Sequence, residues 1–541
     1  MAPLRQLTAF LGLGILSLPG LVSAQAPRAT PDEPAEVAQK IQSLLDQVNA
    51  LRERLDEQTR VSHQVKSEVD AAAAEAASAK AQAAVQPARA QSPANAAKGN
   101  TDKLHYKSVT VTLGGFLAAE SVYRQHDQAN DISTSFAAIP YANNSVGRTQ
   151  ELRFTARQTR LSALVQGSPG AQTHLGFYSE FDFQGGAQTA NSNESNSYTP
   201  RLRHIYGSVD WDNLGLHLLA GQAWSLLTLS SQGITPRNEM PPPTIDGQYI
   251  PGFAWTRQPQ IRLVQDLPHA VSIGVSLENP QTTFFTGVNP LPSTVHVTFN
   301  SPAGQGFDSA NTLSLNHIPD VIGKIVYEPI VADRQVHLEA YYLYRSFYER
   351  LNFNNQNSSG GGAGGGLTVQ VVPQLLVFQI SALAGKGIGR YGSAQLTDVT
   401  FDPAGNIHPI HEIEALAGLT LHVTPKFDYY VFFGEEKESA EAFNLPGATG
   451  LTPYGYGNPL YQNGGCFSET ATVPATACVG NTRLIKQGTT GVWFKPYVGA
   501  FGRFQYGLQY SYSQRKSFEG LGGAPTPNQS IVMASMRYYP F

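Results

Sequence analysis

Three arginines crowd into one short stretch, ELRFTARQTRLS, as Arg153, Arg157 and Arg160. Two more, Arg201 and Arg203, stand in PRLRHIYG, and Arg257 and Arg262 flank Gln258-Pro-Gln-Ile261. A guanidinium is always charged, and its planar fork can bond two oxygens of a carboxylate or other oxyanion at once. Several of them around a water-filled pore select anions. The carboxylates of Glu180 and Asp182 belong to the same stretch of chain and face the same space. They neutralise the arginines, leaving a weakly selective passage, or some arginines sit at the membrane interface, or a surplus of positive charge remains and selects anions. No G-x-S-x-G nucleophile motif is present, so no enzymatic activity is expected. No cofactor is expected, and His408-Pro-Ile-His411 is too sparse a pair to suggest a metal. The Gly360–Gly366 run lacks a strand–turn–helix context and reads as a flexible loop, not a phosphate cradle.

The elements that would position these arginines are strands. From about residue 107 onward, apolar and polar residues alternate with period two, the mark of a strand with two different environments on its faces. Leu175, Phe177, Phe181 and Phe183 oppose His174, Tyr178, Glu180 and Asp182. Ile413, Ala415, Ala417, Leu419 and Leu421 oppose Glu412, Glu414, Thr420 and His422. Near the C-terminus, Phe504, Tyr506, Leu508, Tyr510 and Tyr512 alternate with Arg503, Gln505, Gln509, Ser511 and Ser513. By parity Arg153 and Arg157 share a face, and Arg160 joins them only across a bulge or strand break. Arg201 and Arg203 share a face. Short turns such as Leu267-Pro268-His269 and Pro425-Lys426 alternate with long polar stretches at 126–148, 185–199, 280–320, 350–366 and 437–482. Long strands, greasy on one face, with short turns at one end and long loops at the other, predict an all-β transmembrane antiparallel barrel. About fifteen strands are legible. Bacterial barrels favour even numbers, so sixteen are expected, the missing one within 385–402 or 290–300. The Pro-rich, aromatic segment 224–256 is long enough to fold into the lumen and narrow it, or to pack outside on a neighbour.

Composition agrees. The chain has 541 residues, of which only 14% are charged, with 51 Gly, 24 Tyr and 26 Phe. After the N-terminal leader no apolar run is long enough for a spanning helix. A net charge of −4 without a basic block argues against nucleic acid as a partner. Residues 1–24 read as a signal peptide: Arg5, an apolar core from Leu7 to Leu18, then Val22-Ser23-Ala24. Residues 25–70 carry a heptad seam, with Ile41, Val48, Leu55, Ser62 and Val69 at a and Val37, Leu44, Leu51, Gln58 and Val65 at d. That seam predicts a short α-helical coiled coil. The Ala/Pro/Ser-rich residues 71–106 are a linker, which leaves 107–541 for the barrel. Export also predicts one disulfide, Cys466 to Cys478, in an external loop.

The order signal peptide, coiled coil, low-complexity linker and barrel resembles the DcaP-like outer-membrane porins of Gram-negative bacteria. The segments that carry the resemblance are TARQTRLS, GFYSEFDFQGG, RLRHIYGSVDW and LLAGQAWSLLT, together with the terminal Phe541. It implies a homotrimer of sixteen-stranded barrels in the outer membrane, with the N-terminal helices in the periplasm. It also implies passive uptake of small anionic, dicarboxylate-like solutes. A pore-lining role carries over to Arg153, Arg157, Arg160, Arg201 and Arg203. The Tyr539 and Phe541 ending resembles the signal read by the outer-membrane assembly machinery. Tyr539, Phe541 and Arg537 share parity, so Arg537 is expected to face lipid unless it snorkels to the interface. The alternative function is a structural or adhesive protein that tethers the envelope through the coiled coil.

Overall fold

The computed structural model describes residues 103–185, 199–298, 316–447, 450–469 and 477–541. The signal peptide, the coiled coil and nearly all of the linker lie outside the described residues. The described chain forms a closed antiparallel barrel of sixteen strands. In chain order these are β1 (Val109–Arg124), β2 (Glu151–Thr155 and Arg160–Gly170), β3 (Thr173–Asp182), β4 (Arg201–Trp211), β5 (Leu216–Trp224) and β6 (Arg257–Leu267). They continue as β7 (Val271–Glu278), β8 (Asp320–Tyr327), β9 (Arg334–Leu351), β10 (Asn354–Val372) and β11 (Leu376–Lys386). The last five are β12 (His411–Thr424), β13 (Phe427–Glu438), β14 (Thr482–Gly499), β15 (Gly502–Ser517) and β16 (Asn528–Tyr539). Each strand pairs with its sequence neighbours, and β1 pairs with β16 from Leu117↔Tyr538 to Arg124↔Ile531, which closes the sheet and leaves no free edge. A short strand, Lys103–Tyr106, folds back on the start of β1.

The alternation read from the sequence sets the two faces. Outward stand Phe177, Ile261, Leu277, Tyr342, Phe433, Tyr506 and Leu508, all exposed, while Glu180, Gln509, Ser511 and Ser513 are buried on the inner side. Apolar side chains pointing out of a closed sheet are stable only against lipid.

Two expectations are corrected. Residues 350–366 are not a loop. They complete β9, turn at 352–353 and form much of β10, while among the described residues 290–298 and 387–402 add only the short strands Val297–Thr298, paired with the end of β9, and Val399–Phe401. The run is strand through its pairing with β9 and β11, and it is glycine because large neighbours already occupy its inward positions. A Cβ at Gly360 would come 2.7 Å from the Phe347 ring, and one at Gly366 would come 2.5 Å from Leu229. The glycines surrender strand propensity to admit large neighbours. Second, the final residues have the opposite facing. Arg537 is buried inward on Glu120, at 2.8 Å, and Tyr539 packs inward on Phe116 with ring centroids 5.2 Å apart. Tyr538 takes the outward position, its hydroxyl donating to the Phe501 carbonyl at 2.7 Å.

Candidate functional site: a lumen narrowed by an inward segment

Segment 225–256 leaves β5, enters the barrel and returns at β6. Leu226, Leu227, Ile245, Ile250 and Phe253 are almost wholly buried inside the lumen. Its backbone polar groups find partners on walls far apart in sequence. Gly252 N–H donates to Glu436 at 2.7 Å and Ile245 N–H to Gln509 at 2.6 Å. Gly233 N–H donates to Glu328 at 2.8 Å, and the Trp493 indole donates to the Pro243 carbonyl at 2.8 Å. A non-helical segment is tolerated there because lumen side chains satisfy its backbone. Close approach is needed where it meets β12 and β13. Gly252 has φ +82°, and a Cβ on Gly434 would collide with the Pro251 carbonyl.

What remains of the lumen is a cavity of about 530 Å³ between this segment and the wall formed by β1–β4 and β13–β16. Five cationic side chains line it, Arg160, Arg203, Lys495, Arg503 and Arg537, against three carboxylates, Glu180, Asp246 and Asp428. A smaller recess of about 240 Å³ adjoins it and shares Arg160, Arg203, Tyr178, Glu180 and Tyr249.

The arginines differ in how fully they are neutralised. Arg203 is buried and bonds Glu180 at 2.6 Å and Asp182 at 3.2 Å. Arg201 reaches Asp182 at 2.6 Å. These side chains are held rigidly, and their charge is largely spent on the carboxylates. Arg160 is only loosely paired, 3.7 Å from Glu180, and lies over the Phe116 ring at 5.3 Å. Arg503 has no carboxylate partner among the described residues. Its guanidinium lies 4.0 Å from the Tyr539 ring centre, and its Nε has no hydrogen-bond partner. Tyr249, on the inward segment, accepts from Arg203 at 3.4 Å. Burial raises its phenol, while Arg203, Arg160 and Arg257 pull it down, leaving it at about 8.

The sequence-derived candidates are therefore dispersed. Arg160, Arg203 and Glu180 meet at the cavity, and Asp182 braces Arg201 and Arg203 from behind. The strand break needed to bring Arg160 inward falls at 156–159, where the Thr159 hydroxyl accepts from Ala118 N–H at 3.0 Å. Arg153 pairs with Glu151 on the first part of β2, away from the cavity lining. Arg157 serves the loops: it bonds the carbonyls of Phe183 and Gly185 and lies 3.5 Å from Asp131. Arg257 stacks on Trp224 at 4.4 Å, and Arg262 is buried on the Trp224 carbonyl, so neither borders the cavity. Arg503, Arg537 and Lys495 were missed. Arg503 was legible as the polar partner of an aromatic alternation, but only barrel closure sets β15 and β16 beside β1. Cys466 and Cys478 form a disulfide in the loop 439–481, their Cα atoms 4.7 Å apart.

No protein-family model and no curated protein matches the chain. Among solved structures, the outer membrane channel DcaP of Acinetobacter baumannii is similar, at 17% identity and a TM-score of 0.55, over 80% of this chain and 99% of that one. OmpF of Salmonella typhi matches at 10% identity and 0.43 over 81% and 99% of the two chains. OprB of Pseudomonas putida matches at 10% and 0.43 over 79% and 94%. At these identities the likeness concerns the fold, and of the three only the first is close enough to carry that argument: the barrel has the fold of the DcaP channel.

Proposed function

We propose that the protein is an outer-membrane porin through which small hydrophilic anions, dicarboxylate-like solutes among them, diffuse passively. The observation that carries this reading is the surplus positive charge on the cavity wall: Arg503 has no carboxylate partner among the described residues and Arg160 is only loosely paired, whereas Arg203, Arg537 and Lys495 are held on Glu180, Glu120 and Asp428. In a narrow lumen such a surplus lowers the free energy of an anion and raises that of a cation. Solute would enter at the long-loop end, exchange part of its hydration for Arg160 and Arg503, and leave at the short-turn end. The paired Arg201 and Arg203 would hold the wall in shape. In this reading the chain works as a homotrimer, with residues 25–70 as a periplasmic arm and Phe541 as its assembly signal. The test is the reversal potential of the reconstituted protein in a planar bilayer under a salt gradient. A potential of the sign for anion preference is expected. Cation preference, or no conductance, would overturn the proposal.

A further inference from the structure

The outer surface of the barrel is divided in a way the pore does not explain. At the long-loop end of β1–β4, β7 and β8, the outward positions are Tyr123, Leu152, Phe154, Phe181, Leu202, Leu277 and Val321, none of them charged. At the same end of β11–β15 they include Lys386, His411, Lys437, Lys486 and Lys516, with Leu484 and Glu435 among them. Strand register sets these basic residues side by side. Lys386 is opposite His411, and Leu484 is opposite both Lys437 and Lys516. Lys486 lies one step below, opposite Glu435, the carboxylate that shares this face of the strands. Lys437 and Lys516 are thus two strand spacings apart, roughly 10 Å. None of the four lysines has an ion pair or side-chain hydrogen bond among the described residues. Below them the outward face turns apolar at Val431, Phe433, Tyr510 and Tyr512.

A lysine row directly above an apolar band has the chemistry of a surface for anionic headgroups: the band meets acyl chains while the ammonium groups reach the charged layer. We propose that this face of β11–β15 binds a lipid with a phosphorylated headgroup, a bisphosphorylated glycolipid of the outer leaflet, through Lys437, Lys486 and Lys516. The spacing lets one headgroup with two phosphates engage two lysines together. The proposal rests on the placement of the barrel in an outer membrane.

The test uses the full-length protein in detergent, titrated with bisphosphorylated lipid A and, separately, with its dephosphorylated form, bound lipid being counted by native mass spectrometry. The triple variant Lys437→Gln/Lys486→Gln/Lys516→Gln is expected to bind the bisphosphorylated lipid roughly a hundredfold more weakly, about fivefold per lysine. Lys426→Gln, at the short-turn end, is expected to bind normally. Equal binding by the triple variant, equal binding of the dephosphorylated lipid, or the same loss in Lys426→Gln would overturn the proposal. So would dissociation of an oligomer in the triple variant, which would make the face a protomer contact. Bilayer conductance of the wild type is read separately: its absence, with lipid binding intact, would count against the pore and not against the lipid site.

Discussion

Replacing Arg503 with Gln isolates the electrostatic contribution of one side chain more cleanly than any other change in the lumen. Its guanidinium rests on Tyr539 and has no carboxylate partner among the described residues, so its removal strands no buried charge. Two unit charges 4 Å apart interact by about 1 kcal/mol in water and about 4 kcal/mol near a protein surface, an upper range that salt then screens. Taking about 1 kcal/mol for a hydrated anion passing Arg503, the loss reduces its partition about fivefold. A cation gains by a similar factor, so the anion-to-cation permeability ratio should fall by about 25-fold. The measurement is the reversal potential of wild type and Arg503→Gln in 0.1 M and 1 M salt baths, each under the same salt ratio, with the difference smaller at high salt because the Debye length drops from about 10 Å to about 3 Å. An unchanged ratio at low salt would refute the reasoning, since it would show that the unpaired cations do not set selectivity.

Three other outcomes follow from the same geometry. Arg203→Gln should act on stability more than on selectivity: it leaves Glu180 and Asp182 buried with one cation fewer, a cost of about 3–5 kcal/mol, seen as a lower unfolding temperature of the folded barrel in a gel-shift assay. Anion preference should decline as pH rises through about 8, because deprotonation of Tyr249 places a negative charge beside Arg203; Tyr249→Phe should flatten that profile, and an unaltered decline in the variant would assign it elsewhere. Gly434→Val should drive the inward segment off β13, since even a Cβ collides with the Pro251 carbonyl, and produce a larger single-channel conductance with weaker anion preference; unchanged conductance would show that the segment does not define the narrow part.

The sequence alone determined the barrel, most of its lipid-facing residues and the shared inward face of Glu180 and Asp182. Those features follow from local rules: side chains alternate on a strand, and residues near one another in sequence on paired strands stay near one another in space. It did not determine β10, where inward glycines contradict strand propensity because Phe347, Tyr341 and Leu229 need the room. It misassigned the facing of Arg537 and Tyr539 because parity fixes which residues share a face, not which face is inside; pairing with Glu120 and Phe116 decides that. The selectivity wall itself belongs to the tertiary structure. Arg537 lies 417 residues from Glu120, and only closure of β16 on β1 brings Arg503 and Arg537 next to Arg160. The net charge of the cavity was beyond the sequence for the same reason. Whether an arginine is spent on a carboxylate, as Arg203 is, or left open on an aromatic ring, as Arg503 is, depends on partners that only the closed, filled barrel supplies.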